Sequence, residues 1–151
     1  MTTSDATRMV NNVDGVLPDD WVVVRFGPFT SAALERSAIR SYKRDVEDGR
    51  VPALYCVSVF AIERFPDEAV DDAVARLCLA LRDDLDAPNG DKIAVTDGRT
   101  LSDGGFLATV DEPPRHHYVV GSPVDLTLMP DVAALEGVFS DRRKNPYPRM
   151  L

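Results

Sequence analysis

At 151 residues, 44% of them hydrophobic and 28% charged, the chain has the length and composition of one globular domain. That excludes a disordered polypeptide and removes any need for disulfides or metal to hold a core. The net charge of −8 gives the surface the wrong sign for general nucleic-acid binding, which leaves only a local contact of that kind.

Residues 1–18 are polar and aperiodic and read as a flexible N-terminal arm. Trp21 to Phe26 is a β-branched and aromatic run stopped by Gly27-Pro28, which predicts a strand. Thr30 or Ser31 then caps a helix whose inward stripe is Leu34, Ala38, Tyr42 and Val46, ended by Gly49. Ala53 to Ile62 is apolar at nearly every position, the pattern of a central strand buried on both faces. Pro66 opens a second helix, with Val70, Ala73, Val74, Leu77 and Leu81 inward and Asp67, Glu68, Asp71 and Asp72 favoured by its dipole.

After Ala87-Pro88-Asn89-Gly90 the segments shorten. Strands are predicted at Ile93–Thr96, Phe106–Val110 and His116–Val120, with a further one at Val124–Leu128. Asp97-Gly98 and Asp103-Gly104-Gly105 signal turns around an irregular piece, Pro113-Pro114 a break and Gly121-Ser122-Pro123 another turn. Pro130 begins a last helix with Val132, Leu135, Val138 and Phe139 inward. Residues 142–151 form an extended basic tail, leaving 19–141 as the single domain.

The order β-α-β-α-β-β-β-(β)-α predicts an α+β sandwich: a mixed or antiparallel sheet with two main helices over one face. Cys56 and Cys78 lack CxxC spacing and read as buried thiols in a reducing compartment. With no signal-peptide core near the start and no apolar run of membrane-spanning length, the expectation is a cytoplasmic protein, without membrane contact. The preference for Arg over Lys and Asp over Glu points to a GC-rich, bacterial genome.

Chemistry has few candidates. His116 and His117 are the only histidines, suited to proton transfer near neutrality. On an extended strand, adjacent side chains face opposite ways, so the pair does not make one site. Asp111 and Arg115 are the nearest helpers, with Glu112 beside them. Asp91, Asp97 and Asp103 lack the EF-hand pattern and read as turn residues, so no metal or cofactor is expected. Phosphate-loop, GxGxxG, GxSxG and HExxH motifs do not occur.

Two basic features stand against the acidic background as partner-binding candidates. Arg36, Arg40 and Arg44, with Lys43, stack along one helix side. Arg142, Arg143 and Lys144 precede Tyr147, which lies between prolines. Set against these is the plainer reading of a solvated face and a solubilising end. The leading expectation is a small accessory protein acting through a protein partner, such as a nucleic-acid enzyme or a toxin. The alternative is a small hydrolase or nuclease-like enzyme with its site at His116 or His117.

Overall fold

The computed structural model describes residues 16–84, 90–112, 115–122 and 127–148. Its elements in chain order are β1 (Val22–Phe26), α1 (Ser31–Glu47), β2 (Val57–Ile62), α2 (Val70–Arg82), β3 (Lys92–Asp97), α3 (Gly98–Asp103), β4 (Leu107–Glu112), β5 (His117–Gly121), α4 (Val132–Val138) and β6 (Arg142–Lys144). The strands form one six-stranded sheet in the order β4-β5-β2-β1-β3-β6, antiparallel at every pairing. This is the α+β domain that the sequence predicts.

β2 is central, and its two faces belong to different cores. Val57, Val59 and Ala61 pack with Leu34 and Ala38 of α1, Leu101 of α3 and Leu135 of α4, joined by Phe139. Phe60 and Ile62 pack with Ala73, Val74, Leu77, Cys78 and Leu81 of α2. The helices therefore cover both faces of the sheet, not one. A strand apolar on both sides requires a cover on both sides, since either bare face would leave a row of branched side chains in water.

Helix ends follow their caps. Thr30 Oγ1 accepts the Ala33 N–H at 3.3 Å, Asp97 Oδ1 accepts Thr100 N–H at 2.7 Å and Asp131 Oδ1 accepts Ala134 N–H at 3.1 Å. The Asp97 cap turns the expected irregular piece into α3. Gly98 is required there, because a Cβ would lie 2.1 Å from the Pro18 carbonyl oxygen. Asp67 takes a left-handed φ of 64°, so Pro66 and Asp67 form a turn and α2 begins at Val70.

Other boundaries also differ from the sequence reading. Residues 53–56 precede β2 rather than belonging to it. Most of the expected strand at Val124–Leu128 lies outside the described residues, and Thr127 and Leu128 lie in a turn and a bend. The N-terminal arm falls largely outside them too, but Val16 bridges Thr109 and Leu17 N–H donates to the Ala108 carbonyl at 3.0 Å. At the other end, Arg142–Lys144 is extended and pairs with β3. Asn145 is buried, donating its side-chain N–H to the Gly90 carbonyl at 2.9 Å.

Cys56 and Cys78 are buried thiols in separate clusters, and burial pushes the Cys78 thiol up to about 11. Among the described residues no helix is long and apolar enough to cross a membrane. Leu77 is completely buried, so Leu77→Ala is expected to open a cavity and lower stability by about 2–5 kcal/mol. A urea midpoint equal to that of the parent protein would be incompatible with this packing.

Candidate functional site

α1 changes character along its length. At about 100° per residue, Ser41 and Asp45 return close to the direction of Leu34, so the inward stripe passes from apolar to polar. Val46 drifts off that stripe and is 57% exposed, whereas Asp45 is 1% exposed. The chain after the helix then doubles back along it. Leu54 N–H donates to Asp45 Oδ2 at 3.0 Å, Tyr55 stacks on Tyr42 with ring centroids 4.2 Å apart, and Cys56 Sγ lies 3.3 Å from Ser41 Oγ.

This return leaves a cleft of about 330 Å³ between the second half of α1 and the sheet. β1 and β2 pair as far as Val24 opposite Phe60 and then part. Arg25 spans the opening: its Nη1 donates to the Ser58 carbonyl at 2.6 Å and its Nε to the Pro28 carbonyl at 3.0 Å. The residue is 5% exposed, and burial lowers its guanidinium to about 10. It therefore keeps its charge at neutral pH. Arg40, Arg44 and Arg50 join Arg25 in lining the cleft.

The β4–β5 hairpin also borders the cleft, through Asp111, Glu112, His117 and Val119. Val110 pairs with Tyr118 and Glu112 with His117, which makes Asp111 the extra residue of a bulge. A bulge re-aims the side chain it carries. Here the carboxylate meets its neighbour across the hairpin, with Asp111 Oδ2 2.9 Å from His117 Nδ1. The His117 ring lies against Phe60, centroids 5.4 Å apart. Nδ1 is its one hydrogen-bonded ring nitrogen among the described residues. Both members of the pair are about four-fifths buried and border the cleft.

Of the catalytic candidates read from sequence, the fold brings His117 and Asp111 together and separates the other two. His116 sits at φ 59°, outside the cleft, its carbonyl accepting the Ala61 N–H at 2.9 Å. Arg115 reaches Asp84 at 2.9 Å and Glu112 at 3.3 Å. The basic helical stripe is also divided, because Arg40 and Arg44 line the cleft while Arg36 and Lys43 do not. In the C-terminal group, Arg143 is ion-paired with Asp71 and Asp141, the Arg142 guanidinium lies over the Phe29 ring, and Tyr147 packs under Arg82. Lys144 pairs by its backbone with Lys92 and is exposed.

The sequence alone does not assign Arg25, Ser41 and Asp45 to a common site. Their signal was present: an arginine inside an apolar strand, and polar residues at the helical repeat of Leu34. Among the described residues, no group of three or more His, Cys, Asp or Glu side chains could hold a metal ion. No protein-family model matches the chain, and neither the curated proteins nor the solved structures give a match.

Asp45 fixes the returning chain against α1. Asp45→Ala should leave the buried Leu54 N–H without its acceptor and lower stability by about 1–3 kcal/mol. Chemical denaturation measures this, and a loss below about 0.5 kcal/mol, the range of ordinary surface changes, would contradict the role.

Proposed function

We propose that the chain is a small hydrolase that cleaves a compact anionic ester in the arginine-lined cleft, with His117 as acid–base and Asp111 as its orienting partner. The observation that supports this is the 2.9 Å contact between His117 Nδ1 and Asp111 Oδ2 at the cleft wall. A carboxylate on Nδ1 fixes the tautomer that leaves Nε2 able to take a proton.

In the step that follows, Nε2 accepts a proton from a water whose oxygen bonds to the electrophilic atom of the ester. The ester bond to the leaving oxygen breaks, and that oxygen takes the proton back from His117. Water and ester thus give an acid and an alcohol, with the imidazole restored. Arginines around the cleft supply positive charge where negative charge develops. Two buried thiols suit a reducing compartment, the cytoplasm.

The accessory-protein reading keeps one observation in its favour. Val46 and Val51 are 57% and 65% exposed, apolar surface that a protein partner could cover.

The test is turnover of two anionic esters, p-nitrophenyl phosphate and bis-p-nitrophenyl phosphate, by the full chain. At least one is expected to be hydrolysed, with His117→Gln slowing it by about 10²–10⁴-fold at an unchanged thermal midpoint. No turnover of any ester, or equal turnover by the variant, would reject the hydrolase reading.

A further inference from the structure

Arg25 is a buried charge with no anionic partner among the described residues. Its residue is 5% exposed, yet both of its hydrogen-bond acceptors are neutral backbone carbonyls, of Pro28 and Ser58. A guanidinium carries five N–H hydrogens, so most of them have no protein acceptor among the described residues. The guanidinium carbon also lies over the Phe139 ring, 5.9 Å from its centroid. Burying a cation without an anion is costly, and proteins ordinarily place a carboxylate beside it.

The surrounding charges do not supply that anion. The cleft carboxylates are engaged elsewhere: Asp45 with Leu54 N–H and Arg50, Asp111 with His117 and Glu112 with Arg115. Arg40 and Arg44, one helical turn apart, border the same cleft, and neither is ion-paired among the described residues. Three cations thus converge on one small volume in a chain whose net charge is −8.

Resting on the hydrolase reading of this cleft, we propose that its ligand carries a phosphoryl group, seated on Arg25 and closed over by Arg40 and Arg44. A terminal phosphoryl group offers three oxygens and up to two negative charges, so separate arginines can bind it from several sides. A planar carboxylate, with two oxygens, is satisfied by a single guanidinium fork. The volume of about 330 Å³ falls at the small end of ligand sites and suits a low-molecular-weight phosphate monoester. A nucleic-acid strand would bring many further phosphates against an acidic body. The buried Arg25 gives the phosphoryl group a fixed seat, while the exposed arginines add attraction at the mouth.

Isothermal titration of inorganic phosphate into the full chain tests this, with sodium succinate as the carboxylate arm. Phosphate is expected to bind more tightly than succinate. Arg40→Gln/Arg44→Gln should weaken phosphate binding by about tenfold for each charge-assisted hydrogen bond removed. Both side chains are exposed, so the thermal midpoint of that double variant should not move. Arg25→Gln should abolish phosphate binding, and the double variant decides the question if Arg25→Gln does not fold. His117→Gln should retain phosphate binding. Phosphate binding in a protein that hydrolyses no ester would reject the hydrolase reading and keep this one. Ester hydrolysis with no phosphate binding, with binding unmoved by the double variant, or with succinate preferred, would overturn this proposal and leave the hydrolase reading standing.

Discussion

The described residues are arranged around two neighbouring strands, β1 and β2, buried on both faces in the middle of an antiparallel sheet. Their backbones are satisfied by pairing, and their side chains by helices above and below. Where they stop pairing after Val24 and Phe60, the sheet must either close with apolar residues or admit a polar group. It admits Arg25, whose Nη1 and Nε reach the carbonyls of Ser58 and Pro28. The parting of the strands, the return of the chain along α1 and the cleft are one structural event. Asp45 holds the return segment, Arg25 spans the gap, and the β4–β5 bulge places Asp111 beside His117 at the cleft.

Much of this frame is legible in the sequence because the core signals are periodic. The α2 stripe at Ala73, Val74, Leu77 and Leu81 is buried as its spacing predicts, and the apolar run ending at Ile62 is a central strand. Layering is harder to read. An apolar run shows that both faces are covered, but periodicity does not say which helix covers which face. Strand pairing is similarly silent, since β6 joins β3 through contacts between distant segments.

The site is only half legible, for a definite physical reason. His117 and Asp111 are close in sequence, yet strict strand alternation does not bring them together, because bulges have no reliable local signature. The cleft arginines come from β1, α1 and the following loop, and only the folded chain unites them. A four-residue stripe on α1 drifts by about 40° per step, which carries Val46 outward and leaves Asp45 inside. Polar residues at the true repeat of Leu34 mark the wall of a polar cleft, and Arg25 within an apolar strand marks its floor.

The most direct test of the central claim is the tautomer of His117, read from the ring ¹⁵N chemical shifts of the native protein. If the Asp111 carboxylate orients the ring, the neutral imidazole carries its proton on Nδ1, leaves Nε2 as the acceptor, and loses that preference in Asp111→Asn. A ring protonated on Nε2, or a tautomer mixture that Asp111→Asn leaves unchanged, would contradict the account.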